Sequence, residues 1–218
     1  TDFSYYIHDN VNSFTPYYGS DEVYTWSHSD GEENFIENTF RTIEEETSLS
    51  FDRVYNEESA GLKIYQISPN YILNNDKLTI GLASVVDPNI DIINGDEYIE
   101  ILWVPQDYHE ITNRFVDDGI SNILITEKNA DVILHEIGHA VGLTHPKDDP
   151  WGEWHNTNDT RMSYNFEQIG EEKYFAETPK FSETDIEAMQ YVWGTGKPEN
   201  NDYSILSDLE DDGEIMIS

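Results

Sequence analysis

Apolar positions recur at intervals of two through the first half of the chain. EVYTWS (22–27) alternates and predicts a strand. Ser29 or Asp30 then stands where a helix cap is expected. The stretch that follows, ENFIENTFRTIEEET, puts Phe35, Ile36, Thr39, Phe40 and Ile43 on one side. GLKIYQIS (61–68), LTIGLASVV (78–86) and YIEILWV (98–104) read as further strands, and Pro88 ends the second of these. DPNIDIINGDE is a loop, residues 105–119 suit helix or loop equally, and ISNILIT (120–126) is a strand or a tight packing segment. A helix is expected over 129–141. The last helix begins at Ser182, with Asp185 three residues on as its capping partner, runs to Trp193 and stops at Gly194.

This order of elements predicts an α/β arrangement, with helices packed on a sheet. Residues 1–20 read as an irregular N-terminal arm. Residues 21–196 form one domain, and 197–218 a loosely held acidic tail. Residues 143–180 show little periodicity. A stretch that long without elements of its own marks function more often than linkage.

Charge narrows the choice of partners. The 218 residues hold 45 acidic and 11 basic side chains, a formal net charge of -34. Nucleic acid is excluded as a partner, because no basic patch neutralises phosphates. The longest apolar runs are strand-sized, so no membrane insertion is expected. The acidity suits saline surroundings, where screening reduces self-repulsion, or the binding of cations. Cysteine is absent, which removes disulfides, thiolate ligands and cysteine nucleophiles. The chain begins at Thr1 rather than Met, which suggests processing, and a lost segment could have carried targeting information.

Chemistry concentrates in HEIGHAVGLTHP, His135 to Pro146. A His-rich helix end is the plain reading. The alternative starts from His135 and His139, which lie one turn apart on one helix face, the spacing that lets two imidazoles share a metal ion. Ile133, Leu134, Ile137, Ala140 and Val141 make the helix largely apolar, and buried polar groups there need partners. Gly142 turns the chain and returns His145 as a third nitrogen. Three protein ligands leave an open position, the pattern of catalytic zinc. Glu136, beside the first ligand, stands where it can take a proton. His8, His28, His109 and His155 lack such spacing and read as surface or packing residues.

The pattern H-E-x-x-H-x-x-G-x-x-H, followed by Thr160-Arg161-Met162-Ser163-Tyr164, resembles the metzincin metallopeptidases, and the Met-Ser-Tyr form is most similar to the serralysin group. FSETDIEAMQYVWG (181–194) is similar to the closing helix of serralysins and matrix metalloproteinases, and Gly95-Asp96 to the segment before their next strand. The resemblance covers roughly residues 20–196. It implies a metzincin-like α/β (α+β) fold: a twisted mixed sheet with an antiparallel edge strand, an active-site helix and a C-terminal helix. An upper lobe would span 21–142 and a lower lobe 143–196. It further implies zinc on His135, His139 and His145, Glu136 as general base, and Met162 as a structural turn beneath the ligands. Tyr164 would reach the metal side, and Gly81, Leu82 and Ala83 would line the cleft and pair with an extended peptide.

The implied activity is that of a secreted, monomeric zinc endopeptidase acting on polypeptides. Phe166, Ile169, Tyr174 and Phe175 would wall the pocket beyond the scissile bond, or point into the core instead. Three features depart from the family. The Gly-Gly-x-Gly-x-Asp repeats of serralysins are missing, no cysteine can act as a latency switch, and the acidity exceeds what such a fold needs. Asp148, Asp149, Glu153 and the acids at 208–214 raise calcium as a second ion, against the plainer reading of a solvated face. The rival class is a latent or non-catalytic module that binds peptides on the same scaffold.

Overall fold

The computed structural model describes residues 2–14, 23–68, 81–86, 98–105, 125, 127–165 and 179–196. Their elements are strands β1 (Asp2–Ile7), β2 (Ser13–Phe14) and β3 (Val23–Trp26), helix α1 (Asp30–Glu46), strands β4 (Ser50–Arg53), β5 (Leu62–Ile67), β6 (Gly81–Val86) and β7 (Tyr98–Trp103), and helices α2 (Glu127–Ala140) and α3 (Glu183–Trp193).

The sheet is mixed. β4, β1, β5 and β7 run parallel in that order, and β6 closes one edge antiparallel to β7. β3 pairs antiparallel with Gln66 and Ile67 of β5, past the end of the β1 pairing, and β2 pairs with β3. Period-two alternation sorts the side chains of β5. Leu62 and Ile64 face a core shared with the helices, whereas Tyr65 and Ile67 join Val23, Leu102 and Val104 in a second cluster. Burial on both faces is the usual condition of parallel strands and explains their apolar runs.

α1 starts at a full capping box. The Glu32 N–H donates to Ser29 Oγ, and the Ser29 N–H donates to the Glu32 carboxylate. The stripe expected from the sequence is the buried one: Phe35, Ile36, Thr39, Phe40 and Ile43. Each large apolar side chain so buried contributes about 1.5–3 kcal/mol. α3 begins the same way at Ser182 with Asp185, and Gly194 ends it. Its C-terminal end is tied to α1, with the Gly196 N–H and the Gln190 amide both donating to the Glu46 carbonyl. The Trp193 indole N–H donates to the Val141 carbonyl just beyond α2.

Three strands differ from expectation, the two-residue β2 (Ser13–Phe14) among them. The irregular arm expected over 1–20 does not hold for Asp2–Ile7, which form β1 between β4 and β5. Phe3, Tyr5 and Ile7 carry a period-two signal, and Tyr5 and Ile7 are buried. Ser50–Arg53 forms β4 with only Phe51 buried, too short a pattern to read from sequence. ISNILIT, Gly95-Asp96, the stretch 106–119 and the acidic tail lie outside the described residues, apart from Ile125. No helix among the described residues is long and apolar enough to cross a membrane.

His8 and His28 are packing residues, as their spacing suggested, and both are buried. The His28 Nδ1–H donates to the His8 carbonyl at 2.8 Å, and Nε2 accepts from the Trp103 indole at 3.0 Å. Burial lowers the His28 pKa from 6.5 to about 4. The folded state therefore holds a neutral ring that the unfolded chain would protonate near pH 6.5. The stability this contributes is complete above that pH and is lost as pH falls toward 4. Resonances of the His28 ring are expected to stay constant from pH 7 to 5 in an NMR titration. A midpoint above pH 6 would contradict the neutral assignment.

Candidate metal centre and active site

α2 carries the site. Ala130, Ile133, Leu134 and Ile137 seat it in the core, and this orients His135, Glu136 and His139. Gly142 follows the helix with φ 98°, a conformation that costs glycine nothing and other residues a penalty. The Leu143 N–H donates to the Gly138 carbonyl, closing the turn, and Leu143 itself is buried. The chain then reverses and carries His145 back toward α2.

The three imidazoles converge. Nε2 of His145 lies 3.2 Å from Nε2 of His139 and 3.3 Å from Nε2 of His135. The His135 Nδ1–H donates to the Arg161 carbonyl at 2.8 Å and the His139 Nδ1–H to the Leu143 carbonyl at 2.9 Å. With hydrogen on Nδ1, both rings aim an Nε2 lone pair at the common point. Burial holds His135 neutral, with its pKa lowered to about 4, and lowers those of His139 and His145 as well. Lone pairs this close repel unless something positive lies between them. A tetrahedral zinc with Zn–N bonds of about 2.0–2.1 Å places its nitrogens roughly 3.3 Å apart, so the donor set fits that ion. Among the described residues no other group of three or more ligating side chains converges in this way. Asp148, Asp149 and Glu153 are exposed.

Glu136, next to His135 on α2, sets its carboxylate against β6. It is buried, one carboxylate oxygen accepts from the Ala83 backbone, and Oε2 has no hydrogen-bond partner. Burial pushes its carboxyl up to about 8. A Cβ on Gly81 would come within 2.7 Å of Glu136 Cγ and Cδ, so only glycine leaves the carboxylate this seat. β6 thus touches the site through Gly81 and Ala83. Leu82 packs instead against the second cluster, on the opposite face of the sheet.

Met162 is almost fully buried against α2, and Gly138 makes the room: a Cβ there would stand 2.7 Å from Met162 Sδ. The ring of Tyr164 packs against His135 and His145, with centroids 5.2 and 5.1 Å away. Burial, then the charge of Glu136, raises its pKa, so the hydroxyl remains a donor at neutral pH. The proposed pocket wall of Phe166, Ile169, Tyr174 and Phe175 lies outside the described residues.

Asp185 has a role that its capping spacing only half revealed. It is 2% exposed and accepts from Thr160 Oγ1, the Arg161 N–H, and both the N–H and Oγ of Ser182. The same Arg161 offers its carbonyl to His135 and its guanidinium to Asp131 of α2, at 3.6 Å. One carboxylate of α3 therefore fixes the turn that orients the first histidine.

The irregular stretch after the site is ordered by its own backbone. The Tyr164 N–H donates to the Pro150 carbonyl, the Thr157 N–H to the Asn165 carbonyl, and the Asn165 amide to the Gly152 and His155 carbonyls. No protein-family model matches the chain, and no curated protein was found that matches it.

Proposed function

We propose that the protein is a zinc endopeptidase of the metzincin type, cleaving internal bonds of extended polypeptides. The convergence of three Nε2 atoms, with that of His145 at tetrahedral spacing from the other two, beside a buried glutamate, carries this reading. The mixed sheet with an antiparallel edge strand beside the site, the helix bearing His135 and His139, and the buried Met162 agree with the family that the motif resembles. Among the described residues β6 pairs only with β7, and an extended peptide would add along its other edge. The resemblance implies a secreted monomer, and the excess of acidic side chains suits saline surroundings.

His135, His139 and His145 would hold the ion. Bound zinc supplies Lewis acidity, lowering the pKa of a water and polarising a carbonyl. The residues do the rest. β6 aligns the substrate backbone beside α2. Glu136, whose ionised form a dication on the three histidines would favour, accepts a proton from the attacking water and passes it to the departing amine, and its burial keeps bulk water from competing. The Tyr164 hydroxyl donates a hydrogen bond to the oxygen on which negative charge develops.

Metal analysis, together with digestion of a denatured protein mixture with and without chelator, tests this. About one zinc per chain is expected. Cleavage should be lost on chelation and restored by zinc. Bound zinc without cleavage of any polypeptide would favour the peptide-binding alternative.

Tyr164→Phe separates donor from filler. Losing one hydroxyl barely alters packing, but loss of a transition-state donor is expected to lower kcat roughly ten- to a hundredfold, with KM and zinc content little changed. Full kcat in this variant would make Tyr164 a packing residue.

A further inference from the structure

Trp151 is 65% exposed, yet it is not a stray surface aromatic. Pro150, immediately before it, accepts hydrogen bonds from the Tyr164 N–H and Ser163 Oγ. The Trp151 N–H donates to Asp149 Oδ1. Its indole stands edge-on to the Tyr164 ring, with centroids 5.2 Å apart at 74°. Tyr164 in turn packs against His135 and His145. A single ring thus separates an exposed indole from the three imidazoles.

The neighbouring tryptophan shows what such a ring attracts in this setting. The Lys147 ammonium lies 4.7 Å from the centroid of Trp154. Among the described residues no lysine or arginine lies over Trp151. Residues 147–153 carry Lys147 against Asp148, Asp149 and Glu153, and the whole chain is strongly anionic.

We infer that Trp151 forms a substrate subsite that takes a lysine or arginine side chain, so that cationic polypeptides are the preferred substrates. The inference rests on the endopeptidase reading and names its substrate class. An indole face is electronegative and attracts a guanidinium or ammonium lying over it, and tryptophan does so best. A surplus of one charge sign around a cleft concentrates ligands of the opposite sign. The Pro150 and Asp149 hydrogen bonds hold the backbone of Trp151 before substrate arrives, which reduces the ordering cost of binding.

Peptides identical except at one position, bearing Arg, Leu, Phe or Glu there, test this when the position is scanned across a bond that the zinc-loaded protein cleaves. At one position kcat/KM should favour Arg over Leu, with Glu poorest. Trp151→Ala should reduce the Arg-to-Leu ratio about fivefold, the scale of one cation–π contact, and Trp151→Phe should keep part of it. Calorimetric binding of the same peptides to zinc-loaded Glu136→Ala protein needs no turnover and separates this inference from the endopeptidase reading. Arg-peptide binding that weakens when Trp151→Ala is added supports the subsite even where nothing is cleaved. No Arg-over-Leu preference in rate or binding overturns it, as does an Arg preference that survives Trp151→Ala. A Leu or Phe preference lost with Trp151 also overturns it and assigns the indole to an apolar side chain.

Discussion

Replacing Glu136 with alanine is expected to leave a protein that still takes up zinc but loses nearly all turnover of peptide. The loss in kcat should be about a hundred- to ten-thousandfold, the range for removal of a positioned proton carrier. The carboxylate is not among the three converging nitrogens, so metal content should hold, while zinc lost together with activity would mean that Glu136 supports the ligands. Its seat makes a second, sharper variant available. The Glu136 carboxylate lies where a side chain on Gly81 would have to go. Gly81→Ala, on β6 and away from every ligand, is therefore expected to displace the carboxylate and lower kcat roughly tenfold or more with zinc retained. Combining Gly81→Ala with Glu136→Asp, whose shorter side chain withdraws from the added methyl, should cost less than the product of the two single effects. Multiplicative losses would mean that the methyl acts on the strand rather than on the carboxylate.

Much of the scaffold was legible because it rests on local rules. Ser29 and Ser182 announced two helix starts by capping chemistry. The α1 stripe followed the 3.6-residue period into the core. His135 and His139 shared a face because a helix turn demands it, and Gly142 marked the reversal before His145. The less legible parts involve partners that leave no mark in a sequence. The groups that set the imidazole tautomers are the carbonyls of Arg161 and Leu143, and any residue can supply a carbonyl. The group that steadies Glu136 is a backbone N–H of Ala83. By sequence, Glu32 is an acidic residue in a first helical turn. In the fold it is buried and accepts from Gln66 and Asn129, joining α1 to β5 and α2. β1 was obscured by a tyrosine at one inward position and by Ser4 and Tyr6 between the inward positions, and β4 by its length. Trp151 and Tyr164 stand thirteen positions apart and meet only because Pro150 is bound to the tyrosine backbone.

Asp185→Ala should be the most damaging single change to stability outside the apolar core. The carboxylate accepts four hydrogen bonds at 2.5 to 2.9 Å and is nearly sealed from water. Alanine would strand the N–H groups of Arg161 and Ser182 and the Thr160 hydroxyl, and each buried donor left unpaired costs about 1–3 kcal/mol. Hydrogen bonds to a charged acceptor are the stronger kind, at about 1.5–3 kcal/mol each, so a loss of several kcal/mol is expected in urea unfolding of the metal-free protein. The change should also reach the metal. Asp185 holds Arg161, the Arg161 carbonyl fixes the His135 ring, and removal of such an outer partner weakens metal binding by about ten- to a hundredfold. Asp185→Asn keeps the shape and one good acceptor but turns an amide NH2 toward donors, so it should fall between wild type and alanine on both scales. A structural cap alone would lower stability and leave zinc affinity intact in the fraction that remains folded. Competition with a chelator of known affinity, at a temperature where the variant is fully folded, distinguishes the two. Unchanged zinc affinity there would confine Asp185 to holding α3, and the orientation of His135 would have to come from the packing of α2 alone.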